Sequence, residues 1–136
     1  MSIYSRPLAT PVVPRLALVA LCAAYIQGPL VKIFDFAGAQ AEMLHFGLQP
    51  APLFAVGVIL FELVTSGLVI SGAYRWAGAL ALAIFTLAAT WIALRFWEIP
   101  PGQDRSMAMN AFFEHIGLAG AFVYVTLKDL ACRRLS

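Results

Sequence analysis

The sequence predicts an all-α protein: a membrane-spanning four-helix bundle with a short amphipathic helix in its first outward connection. Three observations carry this. Apolar residues make up 62% of the 136-residue chain and charged residues only 12%, about half the share usual in a soluble domain. Mean hydropathy is +0.85. The apolar residues fall into four blocks, each near the ~20 residues that a helix needs to cross roughly 30 Å of hydrocarbon. Residues 1–136 therefore read as a single integral membrane domain. The net charge of +2 is small, and no Lys/Arg run, aromatic-interleaved basic patch or nucleotide-binding glycine motif is present. Those features argue against a nucleic-acid partner.

The first span covers about 14–33. It begins like a secretory signal, with Arg15 ahead of an apolar run, but it continues through Tyr25 to Ile33 and three more spans follow. A retained membrane helix is expected. In the connection 35–49, Phe36, Met43 and Leu44 can share one helical face, with Gln40 and Glu42 elsewhere on the surface. Gly47 stands where a left-handed C-cap would fall and Pro50 forbids continuation, so a short amphipathic helix at the interface is predicted. The second span, 52–72, and the third, 74–97, are separated by so few residues that they form a tight hairpin. Pro100-Pro101-Gly102 ends the third span, and the fourth covers 109–127. Trp91, Trp97 and Tyr124 read as interfacial belt residues.

Charge sets the orientation. Arg6, Arg15, Arg75, Lys128, Arg133 and Arg134 fall on one side of the spans. Lys32, Arg95 and Arg105 fall on the other, beside Asp35, Glu42, Glu98 and Asp104. The excess of cations places both termini in the cytoplasm.

Ionisable residues inside apolar spans are costly and point to function or to specific packing. Glu62 lies near the middle of span two, with Thr65 and Ser66 three and four residues on and therefore on the same side. It reads either as a proton-carrying or ligand-binding acid, or as a packing group bonded to a neighbouring helix. Lys32, at the end of span one, either snorkels to the interface or turns inward to Glu114 or Glu62. Arg95, at the end of span three, stands level with the start of span four, where an Arg95–Glu114 pair would lock two helices. Asn110 and Glu114 share a face that Gly117 and Ala121 continue. His115 points about 100° away from Glu114, so one of the two is expected to look into the bundle and the other toward a neighbouring helix.

Several chemistries are disfavoured. Cys22 and Cys132 are far apart and form no C-x-x-C. Glu42-Met43-Leu44-His45 supplies one E-x-x-H, whereas di-iron carboxylate bundles use two, so no metal site is expected. A haem held by His45 and His115 is equally weak, because His45 sits at the interface.

Arg95-Phe96-Trp97-Glu98, followed by Asn110, Phe113-Glu114-His115, Gly117 and Gly120, resembles the DoxX family of small bacterial inner-membrane proteins. Gln27-Gly28-Pro29-Leu30-Val31-Lys32 is similar to the family's Gly-x-x-Lys end of helix one, and His45-Phe46-Gly47-Leu48-Gln49-Pro50 to its loop element. Glu62 and Gly72 match positions of helix two. The resemblance covers about 15–127. It implies a four-helix bundle in the bacterial cytoplasmic (inner) membrane, and an analogy to a subunit of a thiosulfate:quinone oxidoreductase. It fixes no reaction.

The leading expectation is an accessory subunit of a redox assembly, with a quinone- or lipid-sized pocket in the outer half of the bundle. Lys32, Glu62, Arg95, Asn110, Glu114 and His115 are its candidate ligand-binding or proton-relay residues. No cofactor is fixed by the residues themselves, and a quinone is the compatible one. The alternative is a structural or assembly protein without chemistry of its own, contacting a membrane partner or a second copy through the small-residue stripe Ala20, Ala24 and Gly28. A small transporter or proton pathway is a third reading, weakened by the lack of a broken-helix repeat.

Overall fold

A computed structural model of the protein describes residues 12–135; Arg6 lies outside the described residues. All regular structure among them is helical: α1 (Val12–Leu21), α2 (Ala23–Phe34), α3 (Phe36–His45), α4 (Ala51–Ser71), α5 (Arg75–Ala93), a 3-10 turn (Phe96–Glu98) and α6 (Gln103–Arg134). Three segments are long and apolar enough to cross a membrane: α4, the stretch Arg75–Glu98, and α6. A fourth exists if α1 and α2 form one span.

That first span departs from the straight helix the sequence predicts. α1 stops at Leu21, α2 starts at Ala23, and the two are bent by 50°. Neither Pro nor Gly stands at the break, so local sequence did not mark it. The bend falls where Cys22, fully buried, is driven into the core beside Tyr25, Val69, Leu82 and Phe122. Tertiary packing overrides helical continuity there. The break also splits the predicted stripe: Ala20 belongs to α1, and Ala24 and Gly28 to α2.

The fourth segment is longer than expected. α6 has 32 residues and begins at Gln103 rather than near 109. Asp104 in its first turn and Arg133 and Arg134 in its last suit the helix dipole at both ends, so the helix runs through polar residues that hydropathy alone assigns to loops. The third ends as an α-helix at Ala93, short of the predicted 97, and finishes in the 3-10 turn.

The α4–α5 hairpin follows expectation. Gly72, at φ +88°, takes the left-handed C-cap of α4, a conformation that glycine adopts without penalty. Gly78 lets the two helices touch: a Cβ there would lie 2.8 Å from the Thr65 carbonyl oxygen and 2.9 Å from Leu68 Cβ. The turn is then clasped by the far end of α6. Asp129 accepts from the Trp76 backbone N–H at 3.0 Å, supplying an N-cap to α5 that Tyr74 does not. Arg133 donates to Asp129 at 2.9 Å and to the Gly72 carbonyl at 3.0 Å.

Elsewhere threonines stand at the helix contacts, and Thr126 of α6 also donates to the Trp76 carbonyl of α5 at 3.3 Å. Thr65, Thr86, Thr90 and Thr126 each donate to the carbonyl four residues back, which satisfies their hydroxyls inside an apolar helix. Tyr25 and Thr86 share a buried hydrogen bond between α2 and α5.

Candidate functional site

At the end opposite the α4–α5 turn, α2, α3, α4 and α5 surround a cavity of about 230 Å³. α3 closes it from above. Asp35 caps α3 through its side chain, accepting from the Gly38 N–H at 3.0 Å, and this turn folds α3 back over α2. Ala39 and Met43 are buried against Ala51 and Ala55 of α4. The anchoring face is therefore Ala39 and Met43, with Phe36 half-buried beside them; Leu44, expected on that face, is exposed. Gly47, at φ +74°, turns the chain out of α3 toward α4, where the glycine-driven stop was expected.

Three ionisable side chains line this cavity: Lys32 from α2, Glu42 from α3 and Glu62 from α4. Its other walls are apolar, among them Met43, Val58, Phe85 and Ile92. Glu62 is 7% exposed, beside buried Thr65 and Ser66, so all three do face one side, as their spacing predicted. Lys32 Nζ lies 3.7 Å from Glu42 Oε2, and the Lys32 side chain is only 16% exposed. Gly28 sets the depth of the group: a Cβ there would meet Glu62 Oε2 at 3.3 Å and Lys32 Nζ at 4.0 Å. Lys32 and Glu62 thus converge over a bare stretch of α2 backbone, and Gly28 serves this site rather than an outward stripe.

Lys32 turns inward, with Glu42 as its salt-bridge partner in place of the expected Glu114 or Glu62. Glu42 is exposed, as its place in the sequence predicted; its pairing with Lys32 and its part in the cavity lining are what spacing did not reveal. Its signal was available: it occupies the polar side of a helix whose buried positions are Ala39 and Met43, and Asp35 returns that helix to Lys32.

The other predicted residues stand apart. Arg95 pairs with Glu98 at 3.3 Å, so the expected Arg95–Glu114 lock between helices does not form. The 3-10 turn that follows Leu94 brings Glu98 within reach first. Arg95 lines an adjoining recess of about 420 Å³ with His45 and Glu98, which shares Phe46, Ile92 and Ala93 with the inner cavity. Asn110 and Glu114 are exposed on α6. His115 is half-buried, its Nδ1 bonded to the Ala111 carbonyl at 2.6 Å. None of these three lines the cavity among α2–α5. Around them the aromatic residues interlock, with Phe96 and Trp97 against Phe112 at ring-centroid distances of 5.4 and 5.9 Å.

An apolar groove of about 350 Å³ runs along α4 and α5 past Leu53, Gly57 and Phe61. It shares Val58 and Phe85 with the cavity wall. Phe61 and Phe85 stack at 5.1 Å beside it. The site therefore joins a small polar chamber, an outer recess and an apolar side groove. Among the described residues no group of three or more His, Cys, Asp or Glu is placed to hold a metal ion.

A family model described as DoxX matches residues 15–95 of the chain. The match takes in Lys32, Glu42 and Glu62 and ends at Arg95, before Asn110, Glu114 and His115. No curated protein and no solved structure matches the chain.

Proposed function

The chain belongs to the DoxX family, a multi-pass membrane protein by its apolar helices, and from that premise we propose that it is an inner-membrane accessory subunit of a redox assembly. Its four spans form a bundle, α1 and α2 acting as one bent span, with both termini in the cytoplasm. The cavity of Lys32, Glu42 and Glu62 receives the headgroup of a quinone-like amphiphile. The observation that carries this reading is the convergence of one ammonium and two carboxylates in a chamber otherwise apolar, within a membrane protein. Drug-sized ligands occupy about 300–1,000 Å³. A chamber of about 230 Å³ suits a single ring headgroup, and the adjoining groove over Gly57 takes the tail.

The roles follow from the groups. Lys32 Nζ carries three donors and no acceptor, so it binds a carbonyl-type oxygen. Glu62 and Glu42 accept from hydroxyls, and either holds or releases a proton at its carboxylate oxygen. A bound quinone supplies two-electron chemistry, with electrons delivered by a partner chain. Arg95 and His45 stand in the outer recess, where a proton or a polar substituent would pass.

The test is extraction of the full chain from its own membrane in mild detergent, followed by chromatography and mass spectrometry of the bound lipids. A quinone is expected at near one per chain in the unaltered protein and is lost in Glu62→Gln and Lys32→Met. Gly57→Leu, where an added Cβ meets nothing within 4 Å, intrudes on the groove and lowers retention of long-tailed quinones. Ordinary phospholipid alone in the extract overturns the proposal.

A second reading, assembly without chemistry, draws on α6. Only 11% of its most apolar window is buried, and Asn110 and Glu114 lie on its exposed side. A partner helix would meet them there.

A further inference from the structure

The cleft at the opposite end has no part in this reading. α1, the start of α5 and the last third of α6 enclose about 350 Å³. Arg75 and Lys128 line it, with Leu18 and Val125 as apolar walls and Tyr124 at the edge. Asp129 is its one carboxylate, and Oδ2 of that group already accepts from Trp76 N–H and Arg133, so the two cations dominate the local field. Arg75 is held in place: its Nε donates to the Val69 carbonyl at 2.7 Å, and its guanidinium lies beneath Gly72. A guanidinium fixed in this way loses little further freedom on meeting an anion. Arg15, Arg133 and Arg134 stand on the elements that form this end. Their charges add to an interface that draws negative headgroups.

We propose that this cleft binds an anionic phospholipid, its phosphate between Arg75 and Lys128 and one acyl chain along Leu18 and Val125. The chemistry recognised is a phosphate ester, and the apolar walls commit the site to one that carries chains.

Native mass spectrometry of the full chain in neutral detergent tests this, with phosphatidylglycerol and phosphatidylcholine of identical chains as probes and glycerol phosphate as competitor. Phosphatidylglycerol is expected to bind several-fold more tightly than phosphatidylcholine. Lys128→Gln should lower that preference about fivefold, the contribution of one cation near such a surface. Lys128→Arg should keep it, and Lys32→Gln, at the other end, should leave it unchanged. Lys128 is exposed, so its substitution spares the fold, which an unaltered thermal melt will show. Equal affinity for the two lipids overturns the proposal, as does an equal loss in Lys32→Gln, which would assign the preference to total charge. Displacement by glycerol phosphate at the lipid's own concentration also overturns it, by showing a soluble phosphate site instead.

Discussion

At the α4–α5 turn three backbone groups are met by side chains: Asp129 accepts from the Trp76 N–H, Arg133 donates to the Gly72 carbonyl, and Arg75 donates to the Val69 carbonyl. At the opposite end charged side chains pair with one another, Lys32 with Glu42 and Arg95 with Glu98. Lys32, Glu42 and Glu62 border a chamber in place of capping a helix. The same residue types do opposite work. A charge that finishes a helix end stabilises the fold, while a buried carboxyl such as Glu62 carries a desolvation cost. Polar groups at the hairpin end are therefore expected to matter to stability, and those at the chamber to binding.

The largest effect should come from Gly78, on which the hairpin depends. Its missing Cβ faces the Thr65 carbonyl at 2.8 Å, a backbone atom that cannot yield unless α4 and α5 separate. Gly78→Leu should lower stability by about 3 kcal/mol, measured by thermal unfolding of the full chain in detergent. An unchanged melt would mean the hairpin is not closely packed. Asp129→Ala comes next: it removes the cap of α5 and the partner of Arg133 together, for about 2 kcal/mol. Quinone retention by the folded fraction should not change, since Asp129 lies at the other end of the molecule.

The chamber should respond with the opposite sign. Glu62→Leu exchanges a buried carboxyl for an apolar side chain of similar size, which removes its desolvation cost while Lys32 keeps Glu42 as its partner. Stability is expected to hold or to rise by about 1 kcal/mol, while bound ligand disappears. A strong loss of stability would show that Glu62 is a packing group, and the two ends would then not differ in kind.

How much of this contrast was legible in the sequence depends on how local each signal was. Gly47 and the triad Glu62, Thr65 and Ser66 declare themselves through turn chemistry and helical spacing, and the structure places them accordingly. The break at Cys22 does not, because no Pro or Gly marks it and burial decides it. Glu42 is exposed as expected, but its pairing was missed for a related reason. Its partner, Lys32, lies ten residues earlier on another helix, and only the fold-back at Asp35 joins them. The Arg95–Glu98 pair was hidden by the assumption that α5 stays helical to Trp97. Pairs set by one helix are readable from spacing, whereas pairs set by a turn need the turn's geometry.

The smallest expected effect belongs to the residue that the sequence made most conspicuous. Glu114 is eleven residues into α6 (114 − 103), about 16 Å along its axis. The helix, roughly 48 Å long by the same rise, exceeds ~30 Å of hydrocarbon, so part of it lies outside any apolar layer. The Glu114 side chain is exposed. Glu114→Gln in the isolated chain should therefore shift stability by less than ~0.5 kcal/mol and leave ligand in the chamber. In native membranes the same substitution separates the two readings of α6. If a partner helix covers Asn110 and Glu114, the complex recovered by native mass spectrometry should weaken while the isolated chain stays intact. If the complex is unchanged as well, the polar face of α6 meets only lipid and water, and the work of the molecule is confined to the chamber and the clasp.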